Sequence, residues 1–404
     1  MNLFKLTWKN LWSRPLATLL SLILIMLGVG LITFVLQVKR DFEGHMGKNI
    51  KGIDMVVGAK GSPLQLILSA VFHIDAPTGN IKLIEAEKLK KNRLVKYAIP
   101  LSYGDSYNGY RIVGTDTAFS KLYNARLKTG VLRKETFEVN LGAGVATDLN
   151  LKIGDEFSGS HGLVAGGATH DDQNYRVTGI FEASNTVLDQ LILTNLESVW
   201  DAHNHGAQEA HEDIENDPDH QLADLEITAL LVKFRSPMGV IQLPRWVNTQ
   251  TNMQAAVPSY ELKRLTNLMG FGIDTINGVA VIIMIVAGIS VFISLLNSLK
   301  ERQPELALMR SYGASRKQLA ATVLLEGLLT SLLGFAGGIA LSKTGFFVTV
   351  SFFPQSLSLP SSALSLSLSD AYLLLVVVTI SFLSALIPVI KSLNINISKT
   401  LATS

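Results

Sequence analysis

Four stretches almost without charge set the outer limit on what this chain can fold into. They cover residues 15–36, 272–299, 319–343 and 371–390. A run of about 20 apolar residues crosses the hydrocarbon of a bilayer as a helix, because a helix satisfies its own backbone donors and acceptors. The long middle, residues 37–271, is polar by comparison. Charged residues make up only 17% of the 404, which is low for a soluble enzyme. The chain therefore reads as a membrane protein with one large aqueous domain between the first and second spans. It has no cysteine, which removes disulfides, thiol nucleophiles and CxxC redox sites. A net charge of +2 with no basic run gives no sign of nucleic-acid binding.

The first span starts at Pro15, a residue suited to a helix start. The run is too long for a signal-peptide core and has no small-residue cleavage site, so it is expected to remain as an anchor. Lys and Arg set the orientation. Lys5, Lys9 and Arg14 precede the first span; Lys300, Arg302, Arg310, Arg316 and Lys317 lie between the second and third; Lys391 and Lys399 follow the fourth. The loop at 344–370 carries none. Both termini (1–14 and 391–404) and the segment 300–318 are expected on the cytoplasmic side, and 37–271 outside. The leader "MNLFKLTWKNLWSRP" reads as an amphipathic helix on the inner surface, with Leu3, Trp8, Leu11 and Trp12 toward lipid. "SPLQLILSAVFHI" is too short to span and reads as a buried or interfacial helix.

The middle mixes strand-like and helix-like runs. "YRIVGTD", "FEVNLGAGVA", "YRVTGIFEA" and "ITALLVKF" read as strands, while "EAEKLKKN" and "ELKRLTNLM" read as helices. That is an α+β domain. No catalytic constellation stands out, so the chain reads as a non-catalytic subunit. "GAKGSPL" lacks the spacing of a phosphate-wrapping loop and reads as a glycine-rich turn. Ser160 and His161 have no nucleophile elbow with them.

The segment "ERQPELALMRSYGASRKQ", Glu301 to Gln318, has helix punctuation of its own. Pro304 suits a first turn, Glu305 the positive helix end and Gly313 a left-handed stop. The spacing predicts a helix over 304–312, roughly 12 Å long. Ser315 and Gln318 fit a capping box that opens the third span. Leu306, Met309 and Arg310 fall at i, i+3, i+4 spacing on one face. The segment is either a docking element or a solvated turn with inside-positive charge. Glu326, about ten residues into the third span, is expensive in lipid and is expected to face the bundle. It serves either as a hydrogen-bonded structural carboxyl or in a proton path.

"RQPELALMRSYGASRKQLAATVLLEGLL" resembles the signature of FtsX-like ABC permeases, the MacB, Lol and FtsX group. Arg302, Glu305, Leu306, Leu308, Arg310, Gly313, Ala314, Ser315 and Glu326 fill its places. "GAGVATDLNLKIGDEF" and "YRVTGIFEASNTVLDQLIL" resemble the MacB-like periplasmic core, and "IPVIKSLNINISKTLA" the family's ending. The resemblance implies four transmembrane helices with an α+β MacB-like core between helices one and two, in a bacterial inner membrane. It implies a dimer, with a second copy or a paralogue, working with a separate cytoplasmic ATPase that binds ATP. A periplasmic or outer-membrane partner also fits that pattern. The coupling set would be Arg302, Glu305, Leu306, Met309, Arg310, Gly313 and Ser315. Movement of the coupling helix would then rearrange the outer domain, either to move or extract a substrate or, alternatively, to signal to a periplasmic protein. Gly327, Gly334 and Gly338 form a stripe where helices can approach closely. An intramembrane hydrolase is disfavoured, since Asp274 and Glu326 fall at opposite sides of the bilayer.

An insert at 202–221 departs from the family pattern, within the tract 201–224. It holds His203, His205, His211 and His220, several carboxylates, and no Lys or Arg. Imidazole and carboxylate ligands suit zinc. The irregular spacing points to a capture loop rather than a preformed site. A solvated acidic insertion is the competing reading.

Overall fold

Pro15 does open a helix, and the helix outruns the expected span. The structure is a computed structural model that describes residues 3–13, 15–160, 169–204, 225–352 and 367–393. In chain order it starts with a leader helix α1 (Leu3–Ser13) and α2 (Pro15–Asn49). The middle follows as β1 (Met55–Ala59), α3 (Pro63–Ala70), β2 (Ile81–Lys82), α4 (Leu83–Lys90), β3 (Val95–Tyr107), β4 (Tyr110–Thr115) and α5 (Thr117–Leu122). Next come β5 (Leu127–Gly130), β6 (Glu138–Leu141), α6 (Ala143–Asp148), β7 (Glu156–Ser160), β8 (Thr169–Phe181), β9 (Leu191–Thr194) and α7 (Leu196–Asn204). The middle closes with β10 (Glu226–Ile227), β11 (Ala229–Phe234), α8 (Met238–Gln250) and β12 (Met253–Ala256). The last third is helical: α9 (Pro258–Glu301), α10 (Gln303–Ser311), α11 (Arg316–Phe352) and α12 (Leu368–Leu393). The chain forms two units, Met1–Phe42 with Leu268–Ser404, and Glu43–Asn267.

In the first unit, α2, α9, α11 and α12 are each long and apolar enough to cross a membrane. α9 begins at Pro258, so "ELKRLTNLM" is the start of this long helix and not a separate element. Val29, Met284, Val291, Leu295, Leu319, Val377 and Ala385 form the core of the bundle. Close packing depends on the glycine stripe. A β-carbon at Gly334 would lie 2.7 Å from Ile25 Cβ, and one at Gly338 2.7 Å from Val29 Cβ. Backbones that approach this closely gain dispersion where lipid offers no hydrophobic drive. The side chain of Leu3 lies outside the described residues, and among the described ones the leader differs from expectation at Leu11. Phe4, Trp8 and Trp12 are exposed in a stripe, but Leu11 is buried with Thr7 and Asn10 on the opposite face. α1 thus spends one face on protein, and Leu11 is not on the lipid side.

In the second unit a ten-stranded mixed sheet runs β12-β1-β11-β3-β4-β9-β6-β8-β5, with β7 pairing to β3 and β8. Most pairs are antiparallel; β4 with β9 and β6 with β8 are parallel. The runs "MVVGA" and "ALLVKF" are apolar on both faces because helices or loops cover both. Val56, Ile99, Leu101 and Leu231 point into one core with α3 and Phe119. Met55, Val57, Leu230 and Val232 point into the other with Leu89, Leu243 and Val247. A further core around Val139, Phe157, Tyr175 and Val177 closes the other end of the sheet. "FEVNLGAGVA", expected as one strand, breaks at Gly142 into β6 and α6. A side chain at Gly142 would run into the Leu188 carbonyl, so the chain turns there with the residue that has none.

Candidate coupling site

The short segment between α9 and α11 is fixed at both ends by its own residues. Pro304 stands in the first turn of α10, where a missing N–H costs nothing. Arg302 Nε donates to Glu305 Oε2 at 3.2 Å, tying the entry of the helix to its first turn. That pair is largely exposed on the glutamate side and contributes little stability by itself. At the exit, Gly313 adopts a φ of 97°. The Ala314 N–H donates to Met309 O at 3.0 Å and the Gly313 N–H to Arg310 O at 3.1 Å. That is the double bond pattern of a Schellman stop. Ser315 and Gln318 then cap α11 reciprocally: the Ser315 N–H donates to Gln318 Oε1 at 2.8 Å, and the Gln318 N–H to Ser315 Oγ at 3.2 Å. The four residues between α10 and α11, Tyr312 to Ser315, each donate a backbone N–H within the stop or the capping box, so this exit is not a slack loop.

Glu326 is buried in α11, and Ser298 Oγ donates to its Oε1 at 3.1 Å. Ser298 in turn accepts the Arg302 N–H on its carbonyl at 3.2 Å. A chain of bonds thus runs from the third helix, through the end of the second, to the entry of α10. Thr18, Ser21, Ser294 and Thr330 line a small polar recess beside Glu326. A carboxylate in lipid needs such a lining.

α10 presents two faces. Leu306 and Ala307 are buried, with Met309 packed against the same core. Of the expected face, Leu306 and Met309 therefore look inward. The exposed side carries Glu305, Leu308 and Tyr312, the last 88% exposed. Leu308 and Tyr312 were absent from the expected set. Their i, i+4 spacing beside Glu305 was the available signal. An exposed tyrosine and leucine beside a carboxylate suit a partner surface with an apolar socket and a basic rim.

Other expected sites fare differently. "GAKGSPL" runs from the end of β1 through a short turn at 60–62 into α3: Ser62 caps α3, and Lys60 Nζ donates to the Asn248 carbonyl at 2.9 Å. His203 lies at the end of α7, but its side chain, and His205, His211 and His220 entirely, lie outside the described residues. Among the described residues no group of three or more His, Cys, Asp or Glu is placed to hold a metal.

Residues 18–238 match the MacB-like periplasmic core domain family, and residues 277–397 the FtsX-like permease C-terminal family. No curated protein matches the chain. Among solved structures, the periplasmic region of MacB from Actinobacillus actinomycetemcomitans matches at 14% identity and a TM-score of 0.35, over 55% of this chain and 98% of that one. The extracellular domain of the noncanonic ABC-type transporter YknZ from Gram-positive bacteria matches at 10% identity and a TM-score of 0.30, over 50% of this chain and 98% of that one.

Proposed function

The chain belongs to the FtsX-like ABC permeases with a MacB-like periplasmic core, and from that premise we propose that it couples ATP hydrolysis on a separate cytoplasmic ATPase to rearrangement of its outer domain. The observation that carries this reading is α10. It is short, closed by a Schellman stop, followed at once by a capping box, and bears an exposed Glu305–Leu308–Tyr312 face. A stiff element of this kind transmits a push, whereas a loop would absorb it. α2 and α9 are the chain's two connections between the bundle and the outer domain, and both are helical where they leave the bundle. Coupling between distant sites needs elements with discrete arrangements, and helices packed on glycine supply them. The reading places both termini and α10 on the cytoplasmic face of an inner membrane, with a second permease chain completing the transporter.

The test is Glu305→Lys in the purified permease–ATPase complex. Reversal opposes the helix dipole, breaks the Arg302 pair and repels a basic partner rim. ATP hydrolysis is expected to lose its stimulation by the permease, with the permease still folded and inserted. Unchanged stimulation would remove α10 from the coupling route. ATP-driven substrate movement in liposomes holding only permease and ATPase would support transport over signalling to an outer partner.

A further inference from the structure

A pocket that coupling does not use lies in the helical unit. α2, α9 and α12 part to leave a cleft of about 310 Å³. Ile32, Leu36, Val281, Met284, Val376 and Ile380 supply much of its wall. Val281 and Ile285 on one side are half exposed, so the cleft opens sideways, across helices that themselves span the bilayer. Water in such a cleft would find almost no hydrogen-bond partner, and a dry void would forfeit dispersion on all its walls.

The rim is different. Ser369 lines the cleft mouth, and its Oγ accepts from Arg40 Nη2 at 2.7 Å. Ser367 Oγ accepts from the same nitrogen at 3.4 Å. Arg40 lies one helical turn beyond Leu36 on α2 and is exposed. Asp370, next to Ser369 in sequence, is buried and accepts the Ser367 N–H at 2.8 Å as a helix cap. A guanidinium offers five donors in a fork that fits phosphate oxygens, and the serines hold only one nitrogen of it. An apolar slot beneath an oriented guanidinium is complementary to an amphiphile with an anionic head.

We propose that this cleft seats one acyl chain of a bilayer phospholipid, with the lipid phosphate held by Arg40. The bound lipid fills the gap between α2, α9 and α12 and so acts as a structural ligand of the bundle. The inference rests on the four helices spanning a membrane and not on ATPase coupling, so the two stand or fall separately.

The experiment uses the full chain, reconstituted in phosphatidylglycerol and phosphatidylethanolamine vesicles, extracted in mild detergent and weighed by native mass spectrometry. One phospholipid per protomer is expected to survive extraction. Arg40→Ala is expected to lower retention about tenfold, the scale of one lost charge-assisted hydrogen bond. Arg40→Lys should restore part of it. Val376→Trp, which fills the cleft and leaves Arg40 alone, should abolish retention. Gel filtration and thermal unfolding identify a misfolded variant; Leu36→Trp fills the same cleft from another helix and replaces Val376→Trp if that change misfolds. Wild-type protein that retains no phospholipid would overturn the proposal, as would folded variants that retain it fully. The chain has no cysteine, so Ile285→Cys supplies a unique thiol. Efficient disulfide formation between two copies through that thiol, with no lipid retained, would put a second copy in the cleft and also overturn it.

Discussion

His73 shows how much a single residue in the outer domain depends on its surroundings. Its backbone has a φ of 56°, in the left-handed region that is uncommon outside glycine but that His, Asn and Asp enter more readily than other residues. Its ring is buried, with Nδ1 2.9 Å from Tyr103 Oη. Tyr103 Oη donates to the Ser69 carbonyl, so Nδ1 must be the donor to the tyrosine, which fixes the neutral tautomer. Burial, helped by the charge of Arg111, pushes the His73 pKa down from 6.5 to about 3. The unfolded chain binds a proton near pH 6.5 while the folded domain refuses it until about pH 3. Stability contributed by the neutral ring is therefore complete above 6.5 and is lost progressively as pH falls toward 3. At pH 5 the loss is ~2 kcal/mol relative to pH 8. His73→Asn keeps a residue that tolerates the left-handed backbone and removes the titration. Thermal unfolding at pH 8 and pH 5 should show a smaller drop for the variant than for wild type. Equal drops would mean that His73 does not govern the acid response. Nothing in a lone histidine after "SAVF" announced this, since desolvation is a property of the neighbours.

At the scale of elements, α10 separates what is local from what is not. Its start, its stop and the start of the next helix are written within a few residues of one another: Pro304, Gly313, and the Ser315–Gln318 box. Such bonds close within one turn, which is why the sequence suffices for them. Which face meets the core is another matter. Leu306 and Leu308 are both leucines in the same helix, and only the packing of α9 and α11 buries the first and exposes the second. Leu306→Ala is therefore expected to destabilise the permease by about 2–5 kcal/mol. Leu308→Ala with Tyr312→Ala should leave thermal unfolding almost unchanged and reduce ATPase stimulation. A reversed pattern in the two measurements would invert the assignment of faces. The glycine stripe makes a companion case. Gly334→Val would force a side chain into Ile25 and separate α2 from α11. A lower unfolding temperature is expected there. Gly270→Val, with open space around its position, should do much less.

For the whole molecule, the decisive fact is that each unit carries its own cores. Residues 43–267 hold three apolar clusters inside the sheet layers. Produced alone, that segment is expected to unfold cooperatively in denaturant; a broad, non-cooperative transition would show that it needs the helices. A reporter fused after Ser160 is expected to signal from outside the cytoplasm. The sequence by itself determined the four apolar helices, the α+β character of the middle, the capped segment before the third span and the family. These follow from composition, from patterns that repeat along the chain, and from bonds that close locally. The tertiary structure alone decided that Leu11 turns inward, that β6 ends at Gly142, that Ser298 holds Glu326, that Leu308 and Tyr312 form the exposed face, and that a cleft opens beside Arg40. Each of these depends on residues far apart in sequence meeting in space, and no local pattern encodes which of them will meet.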